Sequence, residues 1–377
     1  MPVKTILCLS ILFSTILLAQ QSRVDLYVNP DIDTSNVDIA GVVRTWYEYL
    51  NSHPDSVYDN PWWLTSEKRQ YKKFDFLNTV YFTPSLYYFL KYYKPTVMSV
   101  SPVDNAYIIR TLFASQTNSG FSRPFCIIRV MVVKEDSAYR LCNALSFNTR
   151  YWSTEKIGSI TYRFPPSHHF DRKLAERMNA FVDTLTSNWK LKPFPTEFYL
   201  ADDLSQIMRL LGFDFYVGEG ENRGTGGLAD IANRIVYGAG QNEWYPHEFV
   251  HLYINPLFPE AHYYFLEGYA ALLGGSRGHE LAWHMKRMQN YLDLHPGVDL
   301  DSLLLFSHFD AETDPKYVFG GLLCKLALDK GGLPNLKRLF SFGTDDKDFY
   351  YAIETVLGIK QQDLNSFIRK ELARAFR

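Results

Sequence analysis

The chain has 377 residues, with 39 Lys plus Arg against 41 Asp plus Glu and a formal net charge of −2. That balance argues against nucleic acid as a partner, because a phosphate-tracking surface carries a basic excess or a basic run. Hydrophobic residues make 46% of the chain and charged residues 21%, which excludes a disordered polymer and suits about two globular domains. Aromatic residues reach 16%, with 27 Phe, 26 Tyr and 7 Trp. Such a content serves cores, glycan platforms and peptide grooves alike.

Lys4 precedes an apolar run from Ile6 to Leu18 that is too short for the roughly 20 residues a bilayer-crossing helix needs. Residues 1–19 therefore read as a cleavable secretory signal, with export to a periplasm or the outside; an uncleaved N-terminal anchor is the alternative. No later segment is apolar over 18 consecutive residues, so no transmembrane segment is expected in the mature chain. The mature chain keeps Cys126, Cys142 and Cys324, an odd number. Cys126 and Cys142 flank the turn-like Lys134-Glu135-Asp136-Ser137, and either bridge a hairpin or sit as two buried small apolar side chains.

The spacing of apolar residues predicts a helix over Ile39 to Leu50. Strands are expected at Asn105 to Ala114, Phe125 to Val133, Tyr139 to Phe147 and Ile157 to Phe164, giving an N-terminal α+β domain over 20–165 with an antiparallel sheet. No chemical motif occurs in it. Pro165-Pro166-Ser167 reads as a junction, with His168-His169 as a solvated pair beside it. A helix follows over Phe170 to Trp189, then a strand at Thr196 to Leu200, a helix at Leu204 to Leu211 and a strand at Phe213 to Val217. After a glycine loop, Gly218 to Gly227, comes a strand at Arg234 to Tyr237. From Tyr245 onward the pattern is helical, with breaks at Asn255-Pro256, Gly274-Gly275 and Gly331-Gly332.

The chemistry lies in His247-Glu248-Phe249-Val250-His251. Two histidines four residues apart stand on one helix face, about 5–6 Å between Cβ atoms, within reach of a single metal ion. Glu248 projects beside that ion, where it can take a proton from bound water. Pro246 suits a helix's first turn, and Leu252-Tyr253-Ile254 continues an apolar helix. In the next apolar segment, Tyr263 to Leu273, Glu267 is the only charged residue. A carboxylate there is costly unless it pairs or binds a cation, which makes Glu267 the candidate third ligand.

HEFVH followed by FLEGYA resembles the gluzincin zinc metallopeptidases of the peptidase-MA-like superfamily, a resemblance covering about 168–377. It implies a mostly helical zincin-like catalytic domain with a small mixed sheet over 166–377. In that domain one Zn2+ would be held by His247, His251 and Glu267, with water in the fourth position and Glu248 as general base. Arg234 to Tyr237 resembles the edge strand on which such enzymes lay an extended peptide. Tyr317, opening a helix from Tyr317 to Leu328, resembles the helical tyrosine that stabilises the oxyanion; a core tyrosine is the alternative. Ala271 stands where some gluzincins have an acidic residue orienting a histidine, so the partners behind the ligands are not identified.

A metzincin would need histidine at Leu257 and glycine at Ile254 and is excluded. His279 and His284 are five residues apart, and so point about 140° away from each other on a regular helix. The expected function is an exported zinc-dependent peptidase acting on a peptide or protein. The alternative is a non-catalytic cell-envelope binding or assembly protein that retains the fold. Aromatic residues divide into a cluster around the expected ligands (Tyr245, Phe249, Tyr253, Tyr263, Tyr264, Phe265, Tyr269), expected to wall a metal site, and an N-terminal group (Trp62, Trp63, Tyr81, Phe82, Tyr87, Tyr88, Phe89, Tyr92, Tyr93) of no assigned role.

Overall fold

A computed structural model of the chain describes residues 23–52, 60–77, 92–217, 226–240, 242–306 and 309–376. The expected signal at 1–19, most of the glycine loop and the aromatics Tyr81, Phe82, Tyr87, Tyr88 and Phe89 lie outside the described residues. The fold is α+β. Helix α1 (Val37–Leu50) begins where the Asn36 side chain accepts the N–H groups of Asp38 and Ile39, and it buries Val42, Trp46, Tyr49 and Leu50. Those residues pack on a sheet of β1 (Tyr27–Val28), β2 (Lys94–Val103), β3 (Ala106–Gln116), β4 (Ser122–Glu135) and β5 (Ala138–Cys142) in that order. Every pairing among these strands is antiparallel except β1 with β2. Pro95 and Pro102 weaken the strand signal of β2, which the sequence reading passes over.

Two expected strands are shorter than the sequence suggests. The run at Tyr139 to Phe147 ends at Cys142, and α3 (Ala144–Asn148) follows. Between them, the Asn143 side chain bonds Glu67 and the Phe74 carbonyl instead of continuing the ladder. The run at Ile157 to Phe164 is a hairpin, β6 (Ser153–Ile157) and β7 (Ile160–Phe164), turning at Gly158-Ser159.

Cys126, Cys142 and Cys324 are free and buried, so the expected bridge alternative is not realised. Met131 is the register partner of Cys142, placing Cys126 five residues away, about 17 Å along β4. An odd offset also turns the two thiols to opposite faces of the sheet, and they join different core clusters.

Trp63, from the N-terminal aromatic group, is a core residue whose indole N–H donates to Glu67 at 2.9 Å, and its ring packs against Tyr49 and Phe74. Glu67, on α2 (Thr65–Gln70), is buried, and burial pushes its pKa up to about 7 from the usual 4.5 despite donors from Asn143 and Trp63. A folded value above the unfolded one means stabilisation that is full below about pH 4.5 and lost as the pH rises through about 7. Chemical unfolding of the wild type should therefore show a loss on the order of 3 kcal/mol across that range which Glu67→Gln does not show. Parallel profiles for the two proteins would remove Glu67 as the source.

A second sheet has the order β10 (Gly227–Asp230), β11 (Ile235–Ala239), β8 (Thr196–Ala201), β7, β6. Its three central strands are parallel and both outer ones antiparallel. Helix α4 (Arg172–Trp189) carries the chain from β7 to β8, and α5 (Leu204–Leu210) leads on to β9 (Phe213–Tyr216), which returns to pair with β4 of the first sheet. Hydrogen bonding thus crosses residue 165 in both directions. The strand at Arg234 to Tyr237, expected at an edge, is interior as β11, and among the described residues β10 is the edge strand on that side.

The helical layer comprises α6 (Pro246–Ile254), α7 (Tyr263–Gly274), α8 (Leu281–Leu294), α9 (Pro315–Leu339), α10 (Asp346–Leu357) and α11 (Leu364–Arg374). Backbone at Gly331-Gly332 leaves the helical region inside α9, at the break the sequence marks. Among the described residues no helix is long and apolar enough to cross a membrane. Helices α7 and α9 cross at backbone contact. A Cβ added to Gly268 would lie 2.1 Å from the Gly320 carbonyl carbon, and one added to Gly320 would lie 2.2 Å from the Tyr264 oxygen. Only glycine at both positions permits this approach.

Candidate metal centre

Helix α6 starts at Pro246, with no side-chain cap, and buries Phe249, Val250, Leu252, Tyr253 and Ile254 in the main core. That burial leaves one face of the helix to carry His247 and His251 toward α7. Helix α7 is apolar on nearly every side and fixed by the glycine crossing, so Glu267 projects from it at a single determined place.

The three side chains meet. His247 Nε2 and His251 Nε2 are 3.1 Å apart, and each lies 3.7 Å from an oxygen of Glu267. All three ligand atoms fall within 4.8 Å of one another, the one such group among the described residues. A tetrahedral cation with bonds of about 2.0–2.1 Å holds its ligand atoms about 3.3 Å apart, close to this arrangement.

The partners behind the ligands, unassigned by sequence, are a backbone carbonyl and an amide side chain. His247 Nδ1 lies 2.7 Å from the Gly275 oxygen, and His251 Nδ1 lies 3.3 Å from Asn255 Oδ1. A carbonyl oxygen only accepts, so each Nδ1 carries the proton and each neutral ring turns its Nε2 lone pair toward the other and toward a carboxylate. Three acceptors converge with no donor among them, and the group could hold a metal ion.

Burial disfavours charge on His247, but the Glu267 carboxylate and the nearby Glu248 outweigh it and raise its pKa. Burial likewise opposes charge on Glu267, yet the His247 hydrogen bond, both imidazoles and Lys316 hold its pKa down to about 2. The Glu267 carboxylate is thus held in its ionised, ligand-competent form beside the two imidazoles.

Gly275 carries out at the end of α7 what Ala271 cannot. With φ at 70° and ψ at −168° it bends the chain back over the metal group and aims its carbonyl at His247. Asn255 opens the 3-10 turn that ends α6. Replacing Asn255 with alanine should lower metal affinity by about 10–100-fold, as loss of such outer partners typically does. Competition against a chromogenic chelator measures this, and unchanged affinity would show that Asn255 orients nothing.

Glu248 and Tyr317 line the same cavity of about 680 Å3 as the three candidate ligands. Glu248 is buried on α6, and the Tyr317 ring, half-buried at the start of α9, lies 5.7 Å from the His247 ring. Burial raises the Tyr317 pKa, keeping its hydroxyl protonated and able to donate. One wall of the cavity is edge strand β10, through Gly227, Leu228 and Ala229. Sequence reasoning placed that role on the next strand, because the glycine run hides a short strand with little β-propensity.

The remaining histidines are placed differently. His168 is not solvated; its Nε2 lies 2.7 Å from a carboxylate oxygen of the buried Glu243, while His169 is exposed. His284 is fully buried between Ser276 and Thr313, and His279 stacks on Trp283, so the two share no ligand site. Of the aromatics expected to wall the centre, Phe249, Tyr253, Tyr264, Phe265 and Tyr269 are buried and Tyr245 lines the cavity, but Tyr263 is 58% exposed. No protein family, no curated protein and no solved structure matches the chain.

Proposed function

We propose that the protein is an exported zinc-dependent metallopeptidase whose ion is held by His247, His251 and Glu267. The observation that carries this reading is the convergence of three acceptor atoms whose rear partners fix both histidine tautomers, with a buried carboxylate, Glu248, in the same cavity. Zinc at such a site supplies Lewis-acid polarisation of a scissile carbonyl and lowers the pKa of water.

The protein's own groups do the rest. An extended peptide pairs its backbone with β10, the outer strand that lines the cavity beside the ligand group. Glu248 takes the proton of the attacking water and passes it to the departing amine. Tyr317 donates its hydroxyl proton in a hydrogen bond to the oxygen that becomes negative. The cavity walls from Tyr245, Pro246 and Gly274 limit water around these charges. The test is cleavage of a mixed peptide library by the zinc-loaded protein, read by mass spectrometry with and without chelator. Chelator-sensitive products are expected; binding without cleavage would instead favour a non-catalytic envelope protein.

A further inference from the structure

Resting on that peptidase reading, we propose that Arg277 determines specificity by binding a carboxylate of the peptide, either an acidic side chain or a free C-terminus. Three cations of the described residues line the cavity, and two are occupied. Lys316 lies 3.6 Å from Asp314 and within the field of Glu267. The Arg177 guanidinium covers the Trp244 ring at 3.8 Å. Arg277 is half-buried and makes no hydrogen bond or ion pair with any described residue. A partly desolvated guanidinium keeps five unused donors in a planar fork, whose natural complement is a carboxylate.

The backbone beneath it points the same way. Ser276 and His279 close a tight turn with reciprocal bonds of 2.8 and 2.9 Å, and the two residues between them, Arg277 and Gly278, have φ of 49° and 80°. Such a turn favours Asn-Gly, so arginine stands where its own backbone preference opposes it. Local rules broken in a cavity wall mark residues kept for what they bind.

The turn is also held rigid. Fully buried His284 donates from Nε2 to the Ser276 oxygen at 2.9 Å and accepts at Nδ1 from the Thr313 hydroxyl at 3.1 Å. Arg287 donates to the same hydroxyl at 3.2 Å and pairs with Asp310. Gly275, whose carbonyl orients His247, immediately precedes the turn, so Arg277 is fixed relative to the metal group.

Two peptide pairs test this with the full-length zinc-loaded protein. One pair differs by an internal Glu or Gln with blocked ends; the other has no acidic side chain and ends in a free acid or an amide. In at least one pair the wild type should favour the carboxylate member in kcat/KM by about 10–100-fold, the range expected for charge-assisted hydrogen bonds. Arg277→Asn should bring that ratio to about one, Arg277→Lys should keep part of it, and thermal stability of the Asn variant should match or exceed wild type because the turn prefers Asn. Calorimetry with the same peptides in the Glu248→Gln background reads binding without turnover. An Arg277-dependent preference in binding with no cleavage by the wild type would defeat the peptidase reading and leave this one standing. Equal affinities within both pairs, or a preference that survives Arg277→Asn, overturns the assignment.

Discussion

Glu248→Gln is expected to lower peptide hydrolysis by about 10²–10⁴-fold while leaving metal stoichiometry at the wild-type level. The amide fills the same volume on α6 and leaves His247, His251 and Glu267 in place, so the metal group persists. What the proposed mechanism loses is its base for the attacking water and the means of returning that proton to the leaving amine. Glu248 belongs to neither the acceptor triangle nor the histidines' rear contacts, and this is why activity and metal content should separate. Steady-state kinetics alongside metal analysis checks both halves. Retained activity would reassign the base, and lost metal would mean that Glu248 is itself a ligand.

The largest structural effect should come from Gly268→Ala. Its new methyl would lie 2.1 to 2.5 Å from backbone atoms of Gly320 and Gly321, which cannot move aside as a side chain can. Helices α7 and α9 must separate, at a cost of about 2–3 kcal/mol after the small gain from alanine's better helix propensity. Because Glu267 precedes Gly268 and Tyr317 lies one turn before Gly320, that separation also pulls Glu267 and Tyr317 apart. Urea unfolding together with a zinc titration should show a loss in both. A variant as stable as wild type would mean that the crossing has slack, and that Glu267 is positioned by something other than this contact.

What the sequence made legible follows from short-range pattern. HEFVH needs only helical spacing to bring its histidines together, and an isolated Glu267 in an apolar helix needs only the cost of a buried charge to be noticed. Tyr317 also arrives at the cavity, though its place depends on the α7–α9 crossing, which sequence spacing does not encode. The contacts behind the ligands escaped because Gly275 acts through a backbone carbonyl, which has no residue-type signature; the Gly274-Gly275 signal read only as a helix break. Edge strand β10 was missed because Gly227 and Asp230 look like loop residues. The strands that swap between the sheets, β6 and β7 in one direction and β9 in the other, are long-range pairings with no local mark. A boundary at Pro165-Pro166 follows from the local turn chemistry, which carries no sign that strand pairing passes it in both directions.

The most direct test of the account is metal content of the purified protein after exhaustive dialysis, measured by mass spectrometry beside His251→Ala and Glu267→Ala. One zinc per wild-type chain, falling well below one in both variants while the fold is retained by circular dichroism, is the predicted result. Wild-type protein that holds no more zinc than either variant would contradict it.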